Sequence, residues 1–215
     1  MARNKYPEET VKLILDTAER LFTEKGFERT SLQDIMNATK LSKGAIYHHF
    51  VSKDDIFIKI CDNNGKHTAA LLTKIRDDKS INGKEKLKSI FTVTLNNKVN
   101  RKLISMQPYM ISNPKLLAAQ TEDILKEVAP NYICPILEQG NADGSLSIAY
   151  PKETAEMLMI LANLWLNPLL IPSTNQEVKT RCKVFVSLLD KIGIEFSETE
   201  LINAYTEYNN LLVKK

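Results

Sequence analysis

The chain of 215 residues is 43% apolar and 26% charged, with seven Gly, eight Pro and a formal net charge of +3. That length supports one sizeable core or two modest ones, the apolar fraction excludes a disordered chain, and so small a charge does not by itself announce a nucleic-acid binder. Few Gly and Pro beside abundant Leu, Lys, Glu, Ile and Ala favour helices over turn-rich sheets, so the expected fold class is all-α.

From the N-terminus, residues 8–25 place Val11, Ile14, Leu15, Ala18, Leu21 and Phe22 at helical spacing, one buried stripe that Gly26 ends as a C-terminal cap. A shorter helix follows, with Thr30 or Ser31 as N-cap, Asp34 complementing the dipole, and Leu32, Ile35 and Met36 inward. Ser42 caps a third helix, LSKGAIYHHF, and Ser52 a fourth over 53–76. At 100° per residue, Ile46, His49 and Phe50 fall on one face of the third helix, with Gly44, Tyr47 and His48 opposite. Residues 1–60 hold ten Lys or Arg against nine Asp or Glu, yet Asn37 to Lys53 carries Lys40, Lys43, Lys53 and two His with no acid.

Later helices are predicted over 83–106, 108–112, 115–128, 130–139, 151–171, 175–193 and 197–213, with GNADG at 140–144 as a tight loop. The stretch Ala155–Leu170 is apolar nearly all round and must be covered on every side. The next helix sets Val178, Cys182, Phe185, Leu189 and Ile192 in a seam suited to a second helix. With Leu158 and Leu161 this seam forms the expected subunit interface, two helices from each of two chains.

The run Thr30–Ile56, TSLQDIMNATKLSKGAIYHHFVSKDDI, resembles the helix-turn-helix of TetR/AcrR-type transcriptional regulators. In that family a Thr opens the second helix and a hydrophobic-Ser-x-Gly-x-hydrophobic-Tyr-x-His-Phe run forms the third, here Leu41 to Phe50. The likeness covers about residues 8–60; further on, ILEQGNADGSL before YPKETAEML is similar to a late Gly-rich turn and interface helix of the family. Two positions depart from the pattern. Thr39-Lys40 stands where Ala-Gly is common, implying a left-handed Lys40 or a different turn, and Met36 replaces a small residue.

The chemistry of the motif also stands without the family. A helix enters the major groove when its outer face lacks acids, carries donors and lets the axis come close. Gly44 permits that approach, Lys43 is the candidate for a guanine edge, and Ala45 for a thymine methyl. Tyr47, His48, Thr30 and Lys53 are candidates for phosphates, and Ser42 at the cap completes the DNA-facing set. Each has a plainer alternative: Lys43 and Lys53 as solvated charges, Tyr47 as a lid on a small core, His49 as a core residue.

The resemblance implies an N-terminal three-helix domain (1–52), the fourth helix as connector (53–76) and a larger helical ligand-binding and dimerisation domain (53–215), with about nine to ten helices in all. It further implies a homodimer on a pseudo-palindromic operator, half-sites about 34–36 Å apart, that represses until a small apolar or amphipathic effector releases it. Candidate effector contacts are Asn64, His67, Met106, Tyr109, Met110, Leu161, Asn163 and Trp165, though Met and aromatics at such spacing also suit ordinary core. The alternative is the same DNA-binding fold with no inducer, working through protein partners.

No phosphate loop, zinc motif or GxSxG elbow marks an enzyme, and no cofactor is expected. The adjacent His48 and His49 diverge by 100° on a helix and make no metal site. Cys61, Cys134 and Cys182, an odd and scattered set, are expected as reduced thiols. With no apolar run of roughly 18 residues and no apolar h-region near the start, a cytoplasmic protein is expected.

Overall fold

The computed structural model describes residues 7–96 and 107–213, with side-chain surroundings over 7–93 and 108–210. Among the described residues every regular element is helical, and the chain divides into two compact units between Thr68 and Ala69.

The N-terminal unit holds α1 (Pro7–Lys25), α2 (Leu32–Thr39), α3 (Lys43–Tyr47) and the first turns of α4 (Lys53–Asp77). The predicted stripe of α1 is buried from Ile14 to Phe22, and Gly26 ends the helix at φ 84°. Phe27 lies 5.1 Å from both the Phe22 and the Phe57 ring centroids, a cluster that ties α1 to α4. Ile56, Phe57 and Ile60 of α4 are at most 4% exposed, so its first turns help build this core. Of the two cap candidates Ser31 takes the role: it accepts from the Asp34 amide while the Asp34 carboxylate accepts from the Ser31 amide. Lys40 ends α2 at φ 57°, the left-handed alternative. α3 is only five residues long, shorter than the stretch LSKGAIYHHF suggests, with His48 and His49 in the turn that follows.

The C-terminal unit continues α4 and adds α5 (Gly83–Asn96), α6 (Gln107–Ser112), α7 (Pro114–Asp123), α8 (Cys134–Asp143), α9 (Pro151–Ile160), α10 (Asn175–Lys191) and α11 (Glu198–Val213). Between α7 and α8 the sequence predicts a break at Pro130, but the chain runs through as a π-helix over Ile124–Ile133. The wider register accommodates prolines that lack an N–H: Cys134 donates to the Ala129 carbonyl, five residues back. A second π-helical stretch, Leu161–Trp165, ends the helix begun by α9 short of the predicted residue 171, with the Leu166 amide on the Leu161 carbonyl at 2.9 Å. The expected 140–144 loop begins later, because α8 persists to Asp143 and Gly144 caps it at φ 76°. Gly140 is helical and sits against Gly83, where a Cβ on Gly83 would come within 2.3 Å of the Gly140 nitrogen. α5 and α8 therefore touch backbone to backbone.

The expected subunit seam is internal. Val178, Cys182, Phe185 and Leu189 are at most 2% exposed within a single chain, as is Leu158, because α10 lays that stripe on α11 and the core. Ile192 and Leu161 are half-buried against the same core. The outward apolar positions are Val184 (45% exposed) and Leu188 (39%) on α10, with Met157 (39%) and Ile160 (37%) on α9. Periodicity locates an apolar stripe on α10 without saying whether its own chain already covers it.

Candidate nucleic-acid interface

α3 is held from beneath. Ile46 (0% exposed) and Phe50 (5%) anchor it in the N-terminal core, and Ser42 caps its start by accepting from the Ala45 amide at 3.2 Å. The opposite surface carries Ser42, Lys43, Gly44, Tyr47 and His48, all exposed, with Ala45 half-buried. No Asp or Glu occurs from residue 35 to residue 53. The Lys43 ammonium lies 5.5 Å from the Tyr47 ring centroid, so the cation and the phenol share one side of the helix. A Cβ built on Gly44 meets nothing within 4 Å. Packing within the chain therefore gives no reason for glycine there, and the bare backbone faces outward.

Two expected phosphate contacts are placed elsewhere. Thr30 is 1% exposed, and its hydroxyl donates to the Gly26 carbonyl at 2.9 Å. The Lys53 ammonium donates to the carbonyls of Phe27 at 2.7 Å and Thr30 at 2.8 Å and sits 4.1 Å from the Phe27 ring centroid. Both residues brace the turn between α1 and α2. At α2's N-terminus the Ser31 hydroxyl and amide hold the Asp34 carboxyl below its ordinary range, and Lys25 stands 3.7 Å away.

Sequence reasoning left out Val51, 76% exposed between α3 and α4, and the exposed amide pair Gln33–Asn37, bonded at 2.9 Å on α2. The i, i+4 spacing of the amides and the acid-free window around Val51 were the available signals.

The effector candidates do not converge in the same way. Asn64 and His67 belong to the N-terminal unit, Asn64 half-buried with its amide 3.5 Å from the Glu19 carboxylate and His67 exposed. Tyr109 and Met110 are half-buried on α6; Leu161 and Trp165 join the rim of the C-terminal core. Asn163 turns its amide onto the Met159 carbonyl at 2.9 Å. Met106 lies outside the described residues. Burial pushes the Cys61 thiol up to about 12 and the Cys182 thiol up to about 11, and raises that of Cys134. No described helix is long and apolar enough to cross a membrane.

Comparison with known proteins bears on the whole chain. Residues 14–60 match the family model described as bacterial regulatory proteins, tetR family, and residues 92–187 match the tetracyclin repressor-like C-terminal domain, together about two thirds of the chain. The biofilm operon icaADBC HTH-type negative transcriptional regulator IcaR of Staphylococcus epidermidis is 30% identical over 118 residues, 54% of this chain. The chain spans 60% of that relative's length. Among solved structures, a TetR-family transcriptional regulator from Pectobacterium atrosepticum has a TM-score of 0.64 at 18% identity, covering 89% of this chain and 97% of that one. SmeT, the repressor of the Stenotrophomonas maltophilia multidrug efflux pump SmeDEF, has 0.60 at 21% identity, covering 87% and 92%. At these identities the two structures speak for the fold. An acid-free exposed helix on the N-terminal core, an all-helical C-terminal unit, and family models that match one in each thus agree: the chain belongs to the tetR family of bacterial regulatory proteins.

Proposed function

We propose that the chain is a ligand-responsive repressor that binds a pseudo-palindromic operator as a homodimer. The observation that carries this reading is the outward face of α3, where Lys43, Gly44, Tyr47 and His48 form an exposed surface without acids above a buried Ile46. Lys43 reads a base edge, Ala45 touches a thymine methyl, and Ser42, Tyr47 and His48 hold phosphates. Residues 1–52 form the reader, α4 the connector, and 53–215 the sensing and dimerisation domain.

One short helix contacts only a few base pairs, so site selection needs two copies. The second copy docks on the outward apolar positions Met157, Ile160, Val184 and Leu188 rather than on the covered seam. Repression is supported by the likeness to IcaR, named as a negative transcriptional regulator. The effector is a small apolar or amphipathic molecule taken up by the C-terminal unit, where Tyr109, Met110, Leu161 and Trp165 are half-buried, and it acts by binding the non-operator state more tightly.

A gel shift with the full chain and DNA from upstream of its own gene tests this. The expected result is a sequence-preferring complex whose affinity falls steeply with salt. A dimer with no preference for any duplex across that region overturns the proposal.

A further inference from the structure

α4 ends at Asp77 in the C-terminal unit, where a buried cation meets it. Lys86 on α5 is 3% exposed, and its ammonium donates to the Arg76 carbonyl at 2.5 Å and to the Gln139 side-chain oxygen, on α8, at 2.6 Å. Both acceptors are neutral; the Asp77 and Asp78 carboxylates at the same helix end feel the ammonium through space, and neither is among its hydrogen-bond acceptors. From the other side, the Arg76 guanidinium donates to the Asn131 carbonyl at 2.9 Å and lies 5.4 Å from the Tyr132 ring centroid. The last turn of α4 is thus gripped twice, once through its own carbonyl and once through the Arg76 guanidinium on the Asn131 carbonyl.

A buried ammonium whose hydrogen bonds go to neutral acceptors is a costly way to fill space even with Asp77 and Asp78 nearby, and methionine would occupy a similar volume without the desolvation. What methionine cannot do is bind a terminal carbonyl at the negative end of a helix dipole. We propose that Lys86 is a positioning residue for operator binding, fixing the C-terminal end of α4 onto α5 and α8 so that the helix shared by both units has one set orientation in its regulatory domain. The proposal rests on the operator-binding reading above.

The test is Lys86→Met in the full chain, followed by operator anisotropy with the upstream duplex, thermal melting, and amide hydrogen exchange. Operator affinity should fall about tenfold in a dimer that still melts cooperatively, with exchange at residues 73–77 at least tenfold faster and that in α1–α3 unchanged. Lys86→Arg, which keeps the donors, should recover most of the affinity. Affinity within twofold of the parent overturns the proposal, as does a loss that only tracks the unfolded fraction. If Lys86→Met does not fold, Gln139→Leu removes one acceptor and must weaken operator binding at least threefold; unchanged affinity there also overturns it. A parent chain that shifts no duplex defeats the operator reading instead, and unchanged exchange at 73–77 in either variant would then still remove the clasp.

Discussion

Lys53 and Thr30 are joined through the main chain: the ammonium at the first residue of α4 donates to the Thr30 carbonyl at 2.8 Å, 23 residues earlier. The same ammonium reaches the Phe27 carbonyl and lies over the Phe27 ring. A side chain that satisfies two carbonyls of the α1–α2 turn sets where α2 begins, and therefore how α2 presents α3. Lys53 thus serves DNA recognition by shaping the reader.

Lys53→Met accordingly should destabilise the folded protein by about 1–2 kcal/mol, the worth of two charge-assisted hydrogen bonds and a cation–π contact in a half-buried site. Operator affinity should fall while its dependence on salt keeps its slope. A lysine on a phosphate would instead lower that slope by about one when removed. Titrations of operator binding at several KCl concentrations decide between the two.

Gly44→Ala separates folding from recognition. With open space around the added methyl and a better helix former in α3, the free protein should gain about 0.5–1 kcal/mol in denaturant unfolding. Operator affinity should nevertheless drop about tenfold or more, because the methyl holds the helix axis away from the bases. Equal affinity for both forms would mean that the backbone of α3 does not approach DNA closely.

The sequence exposed different features to different degrees, for physical reasons. Ile14 to Phe22, Ser42 and Ile46 were legible because local periodicity and capping chemistry report directly on which way a residue faces. Lys53 and Thr30 were placed at phosphates because both flank helix N-termini; only the fold shows their polar atoms engaged with the turn between α1 and α2. Pro130 reads as a helix breaker locally, yet neighbouring helices hold the chain straight enough for a π register to absorb it. Lys86 gave no signal at all, since a lone lysine in an amphipathic helix looks solvated until Arg76 and Gln139 close over it.

The two faces of α10 give opposite outcomes. Phe185→Ala opens a cavity in a fully buried site and should lower stability by about 3–5 kcal/mol with the subunit contact otherwise intact. Leu188→Glu puts a charge on the outward face and should leave the monomer fold near its parent stability while shifting sedimentation from dimer to monomer and abolishing the operator complex. A Leu188→Glu protein that sediments as a dimer at micromolar concentration would place the interface elsewhere.

Lys40 supplies the last test. Its φ of 57° puts an L-residue in the left-handed region at the α2–α3 turn, a conformation that costs on the order of 1 kcal/mol and that glycine adopts freely. Lys40→Gly should therefore stabilise the protein, by about 0.5–1 kcal/mol after the added freedom of the unfolded chain is subtracted. The substitution also removes a cation from the acid-free window, so operator binding needs its own control. Lys40→Asn supplies it, because asparagine tolerates the left-handed region without carrying charge. If both variants lose the same one unit of salt slope, Lys40 touches a phosphate and the strained turn serves to deliver that contact. If stability rises in Lys40→Gly and the slope stays put, the turn is simply a strained junction. A fall in stability would mean that contacts of the lysine stem outweigh the backbone cost.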